Sequence, residues 1–145
     1  MKVKDLMTKE PTCCGPETQL QEIAKKMVDC DCGMIPIVDD GGRAIGAVTD
    51  RDIVCRAVAE NRNPLELTAQ DVMTQPLTTI SPDAEVEELL HLLEEKQLRR
   101  IVVADDSGRC IGVVAQADLA RGTPDEAIAE VVREVSREAQ AQHAN

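Results

Sequence analysis

The chain has 145 residues, 43% of them apolar, and a formal net charge of −11. That length suits one compact domain with a hydrophobic core. The acidic balance opposes phosphate backbones, and the complete absence of Phe, Tyr and Trp removes the platforms on which single-stranded nucleic acids stack, so no nucleic-acid partner is expected.

In chain order, Asp5-Leu6-Met7-Thr8 precedes a short extended piece at Thr12–Cys14. Leu20, Ile23, Ala24, Met27 and Val28 then follow the i, i+3, i+4, i+7, i+8 spacing of an amphipathic helix. Two β-rich runs, Met34–Val38 and Ala44–Thr49, flank Asp39-Asp40-Gly41-Gly42 and predict a hairpin. A second helix is expected to start near Asp50. The joint Asn61–Ala69 is rich in Asn, Pro and Thr and short enough to keep its neighbours together.

Beyond the joint the order returns. Asp71-Val72-Met73-Thr74 repeats the opening at an offset of 66 residues, and the register holds without a gap, with 15 identities in 49 paired positions. Thr78–Ile80 is the second extended piece. Ser81 reads as an N-cap with Pro82 at N1, ahead of a helix carrying Val86, Leu89, Leu90 and Leu93. The runs Ile101–Ala104 and Cys110–Ala115 flank Asp105-Asp106-Ser107-Gly108, and a helix follows near Gln116. Thr123-Pro124-Asp125-Glu126 is a capping box opening a terminal helix with an apolar stripe at Ile128, Val131, Val132 and Val135.

The fold class expected is mixed α+β: tandem β-α-β-β-α repeats at 1–66 and 67–122, with a C-terminal amphipathic helix and tail at 123–145. One copy is too short to bury a good core alone, so the two should form one pseudo-twofold module. A cleft between related halves is a natural ligand site. No run approaches the roughly 20 apolar residues of a membrane span. Met1-Lys2-Val3-Lys4 has no secretory pattern, so a cytoplasmic protein is expected.

Six cysteines (13, 14, 30, 32, 55 and 110) then read as reduced thiols. Cys110 beside Ile111 reads as a small hydrophobe. Cys13-Cys14 and Cys30-Asp31-Cys32 could contribute to a metal site, but no four-ligand pattern is legible.

The order Asp-Leu-Met-Thr, amphipathic helix, Met34-Ile35-Pro36-Ile37-Val38-Asp39, Gly46-Ala47-Val48-Thr49 and Thr49-Asp50-Arg51-Asp52 resembles a CBS (cystathionine-β-synthase) domain. Two copies resemble the CBS pair, or Bateman module, over about residues 3–122. Stand-alone bacterial CBS pairs, the hypoxic-response type among them, look most similar. The resemblance implies a pair of three-stranded sheets flanked by helices, usually dimerised into a flat disc. It also implies an adenosine-containing ligand (AMP, ADP, ATP, NAD or S-adenosylmethionine) between the copies, and no catalysis by the module itself.

The same resemblance places ribose and phosphate at Thr49-x-x-Asp52. Asp52 can accept from ribose hydroxyls, while Thr49 and the open helix start favour an anion; the alternative is a plain capping box. The second copy keeps Asp118 but has Ala115 where Thr49 stands, so the two sites should be unequal. Arg51, Arg99 and Arg100 are candidates to neutralise phosphate, or else surface ion-pair residues. Met34, Ile35 and Pro36, with Ile101 and Val102, would flank an adenine, or else serve only as core. Thr12 and Thr78 could hydrogen-bond base or phosphate, or simply be strand residues.

Three functional readings follow. The first is a cytoplasmic adenine-nucleotide sensor, a homodimer that modulates an unidentified protein partner. The second is an adaptor dimer with degenerate pockets, and the third a thiol- or zinc-linked stress protein. No nucleophile–base pair or metal triad suggests an enzyme.

Overall fold

A computed structural model describes residues 1–119; the predicted terminal helix and its stripe at Ile128–Val135 lie outside them. The elements run α1 (Val3–Leu6), β1 (Thr8–Lys9), α2 (Leu20–Cys30), β2 (Met34–Val38), β3 (Ala44–Thr49), α3 (Asp50–Ile53), α4 (Ala69–Val72), β4 (Thr79–Ile80), α5 (Val86–Lys96), β5 (Arg100–Ala104), β6 (Cys110–Ala115) and α6 (Gln116–Leu119). A wide helical turn at Val54–Val58 continues α3, and a tight one at Pro64–Glu66, capped by the Asn63 side chain, interrupts the joint. The fold is mixed helix and strand, as the patterning predicts. No helix among the described residues is long and apolar enough to cross a membrane.

The chain forms two compact units, and each borrows its leader from the other repeat. One unit joins Met1–Lys9 to Thr79–Val103 and to the described residues from Gly112 to Leu119; the other joins Glu10–Thr78 to Ala104–Ile111. In the first, a four-stranded sheet has the order β1-β6-β5-β4, with Thr8 opposite Val113 and Ile80 parallel to Val103. In the second, β2 and β3 form a hairpin whose edges carry single bridges, Thr74 to Ala47 and Cys14 to Ile37. Each bridge lies 66 positions from its counterpart, so both sheets have the same order. The three-stranded sheets implied by the resemblance are therefore four strands in one unit. In the other they are two strands and two bridges.

Glycine makes the borrowed leader fit. A Cβ on Gly46 would sit 2.8 Å from the Met73 sulfur and 3.0 Å from the Thr74 carbonyl oxygen. A Cβ on Gly112 would sit 2.5 Å from the Met7 sulfur and 3.0 Å from the Thr8 oxygen. Each Asp-x-Met-Thr segment thus lies flat on a strand that has no side chain at that point. The hairpin turns repeat as closely. Gly42 and Gly108 have φ of 83° and 84°, and the Asp39 and Asp105 carboxylates each accept two backbone N–H bonds across the turn.

The helices supply the cores. Leu20, Ile23 and Met27 on α2 are buried with Ile35, Ile37 and Val48; Val86, Leu89 and Leu93 on α5 are buried, as are Ile101, Val103 and Val114 of their unit. Val28, placed on the α2 stripe by spacing, is instead 80% exposed, because it falls at the stripe's margin. The second-copy helix also starts later than its cap signal. Ser81 closes a turn, its side chain accepting from the Asp83 N–H, and α5 begins at Val86.

Candidate functional site

The turn from β3 into α3 brings Thr49 and Asp52 together. The Thr49 hydroxyl accepts from the Asp52 N–H at 3.0 Å, and the Asp52 carboxylate accepts from the Thr49 N–H at 3.0 Å. This is a reciprocal capping box, the alternative reading of Thr-x-x-Asp, and it closes a helix start that would otherwise expose its N–H groups. Two further groups converge on the carboxylate. The Thr74 hydroxyl donates to it at 3.2 and 3.3 Å, and the Arg56 Nε lies 3.9 Å from Oδ1. Asp52 is the one buried charged side chain among the described residues, at 9% exposure.

Arg56 is itself fixed, donating from Nη1 to the Val72 and Met73 carbonyls at 3.1 and 2.9 Å. Those carbonyls end α4, where a cation is favoured. Neither Arg56 nor Thr74 stands out in the sequence as a site residue. Thr74 belongs to the repeated Asp-x-Met-Thr opening, a signal that was available; Arg56 has Gly122 at its repeat position, so the repeat hides it.

The second copy keeps half of this arrangement. The Asp118 carboxylate accepts from the Ala115 N–H at 2.7 Å, without a hydroxyl to return the bond. In the same unit the Gln116 N–H donates to the Arg99 carbonyl at 2.8 Å, which sets Arg99 beside the start of α6.

The other predicted residues divide by exposure. Thr12, Arg51 and Arg99 are exposed, and Thr78 and Arg100 are half-buried, so their polar groups are within reach of solvent. Met34 and Pro36 are buried, with Met34 paired to Thr49 across the hairpin. Ile35 and Val102 are completely buried and Ile101 nearly so; these side chains fill cores. An open depression of about 440 Å³ in the second-repeat unit is lined by Glu88, His91 and Glu95 with Ser81 and Leu92. Its carboxylates disfavour a phosphate.

Cys13, Cys14, Cys55 and Cys110 are free thiols, as the sequence predicts, and the other two cysteines are not. Cys30 and Cys32 form a disulfide at the end of α2. Cys14 is buried, and burial pushes its thiol up from the ordinary value. Cys110 touches another sulfur, that of Cys13 at 3.9 Å. Among the described residues no three His, Cys, Asp or Glu side chains gather as metal ligands.

The family model for the CBS domain matches residues 3–58 and 69–125. The chain belongs to the CBS-domain family and carries two copies. An uncharacterized protein of Methanopyrus kandleri, MK0525, is 38% identical over 121 residues, 83% of this chain; the chain spans only 59% of that protein. Hypoxic response protein 1 of Mycobacterium tuberculosis is 34% identical over 132 residues, 91% of this chain and 92% of that one. A crystal structure of Hypoxic Response Protein I with two coordinated zinc ions matches at 34% identity with a TM-score of 0.77, over 86% of this chain and all of the other. The CBS domain pair of the protein MJ0100, solved with 5′-methylthioadenosine and S-adenosyl-L-methionine, matches with a TM-score of 0.76 at 28% identity, over 83% of this chain and 94% of that one.

Proposed function

We propose that this CBS pair is a cytoplasmic regulatory module that binds an adenosine-containing ligand and passes its occupancy to a protein partner. AMP, ADP or ATP heads the range of ligands, with NAD and S-adenosylmethionine behind. The observation that carries the reading is the Asp52 carboxylate. It is buried at a strand-to-helix turn; its Oδ2 accepts from the Thr49 N–H at 3.0 Å, the Thr74 hydroxyl is shared between Oδ2 and Oδ1 at 3.2 and 3.3 Å, and the Arg56 Nε lies 3.9 Å from Oδ1. A carboxylate so oriented has acceptor capacity left for a ribose hydroxyl. Arg51, on the first turn of α3, supplies the cation for a phosphate. The adenosine compounds bound by the MJ0100 pair support the same ligand class.

The module does not act as an enzyme in this reading; it acts by changing its contacts. It works as a homodimer, because Val54 and Val58, one helical turn apart, leave 58% and 59% of their surface exposed. Mass spectrometry of small molecules released from the purified native protein tests the ligand class. An adenosine compound near stoichiometry supports the proposal. Release of none, with no binding when adenosine compounds are added back, rejects it.

A further inference from the structure

Cys13 and Cys110 are 97 positions apart in sequence, yet their sulfurs lie 3.9 Å from each other. Both belong to the unit built on Glu10–Thr78, and both are thiols of intermediate exposure. The backbone holds each in place. The Cys110 N–H donates to the Gly42 carbonyl at 3.0 Å. Next to Cys13, Cys14 is bonded on both sides, its N–H to the Pro36 carbonyl at 3.1 Å and its carbonyl to the Val38 N–H at 2.9 Å. The repeat does not require this pairing, since the positions equivalent to Cys13 and Cys110 are Thr79 and Ala44.

We infer that Cys13 and Cys110 form a redox-active dithiol that closes to an intramolecular disulfide with a low-molecular-weight disulfide as oxidant. The Cys13 thiolate attacks one sulfur of the oxidant, forming a mixed disulfide and expelling a small thiolate. Cys110 then attacks the Cys13 sulfur, forming the Cys13–Cys110 bond and expelling the second thiolate. The two cysteine protons pass to the two leaving thiolates, so the protein loses two electrons and two hydrogens and the oxidant becomes two thiols. Cys13 is suited to the first step: its hydrogen bond with Cys110 holds its thiol below the ordinary value, whereas burial raises that of neighbouring Cys14. A thiolate and a neighbouring resolving thiol are what disulfide exchange needs. This inference is independent of the nucleotide reading.

The test is exposure of the full chain to oxidised glutathione, followed by alkylation with iodoacetamide and tryptic mapping without reduction. The expected product joins the peptide of residues 10–25, carrying one carbamidomethyl group on Cys14, to that of residues 110–121, lighter by two hydrogens than the sum of the two, with fragmentation placing the bond on Cys13. It should vanish in Cys13→Ser and in Cys110→Ala and survive in Cys14→Ser. Unchanged urea midpoints of the reduced variants would show that loss of the link is not loss of fold. The oxidised wild-type chain should unfold at higher urea than the reduced chain, because the bond closes a long loop. Full alkylation of Cys13 and Cys110 under conditions that oxidise Cys30 and Cys32 would overturn the inference. So would Cys13 recovered only as its glutathione adduct or joined to Cys14.

Discussion

The Asp52 carboxylate caps a helix and is proposed to hold a ribose, so an experiment on it must separate folding from binding. Asp52→Ala leaves the Thr49 N–H and the Thr74 hydroxyl without their acceptor, and loss of the cap alone costs about 1 kcal/mol. If a ribose is bound as well, adenosine-nucleotide affinity measured by calorimetry should fall on the order of 10- to 100-fold, the worth of a charged hydrogen bond. Urea denaturation of the unliganded Asp52→Ala protein reads the loss of the cap separately from the loss of binding. Asp118→Ala should cost less affinity, because its turn already lacks the hydroxyl. Equal losses at Asp52 and Asp118 would refute the inequality of the sites, and unchanged affinity in Asp52→Ala would leave that residue a cap. A second residue-scale expectation concerns packing. Gly46→Ala puts a methyl group against the Thr74 carbonyl, a backbone atom that cannot swing aside. Urea denaturation should show a loss of about 1–3 kcal/mol; full stability would mean that the leader segment does not lie on this strand.

At the scale of elements, the repeat and the hairpins were readable because each rests on local chemistry. Asp39 and Gly42 make one turn and Asp105 and Gly108 the other, and the strands on either side of each begin and end within a residue of their apolar runs. The exchange of leaders was not readable. It depends on Gly46 and Gly112 accepting a distant segment, and a glycine in a strand does not name what lies over it. Ser81 has the composition of a cap, but it closes a turn instead, and α5 starts where Val86 can enter the core. Of the candidate site, the Thr49–Asp52 pair was legible as a motif. Arg56 was hidden because it answers to the carbonyls of Val72 and Met73, sixteen and seventeen residues away. The exposed pair Val54 and Val58 gives a prediction at this scale. Val54→Asp/Val58→Asp should leave the fold intact by circular dichroism and convert the protein to monomer in sedimentation velocity. A wild-type chain already monomeric at micromolar concentration would rule out the proposed dimer.

For the whole molecule, the absence of every aromatic side chain is met by two cores of Leu, Ile, Val, Met and Ala, each completed by a leader from the other repeat. A ligand specific to the folded module stabilises it by linkage, roughly 2.7 kcal/mol at a hundredfold excess over Kd. Thermal unfolding midpoints should therefore rise with adenosine-ligand concentration and not with the uridine analogue. The most direct test of the central claim is isothermal titration calorimetry on the full chain, stripped of co-purified ligand by unfolding and refolding. AMP, ADP, ATP, NAD and S-adenosylmethionine would each be titrated. At least one of them should bind with Kd below millimolar, and Asp52→Ala should weaken that binding more than Asp118→Ala does. Failure of all five to bind below millimolar, in protein whose refolding circular dichroism has verified, would contradict it.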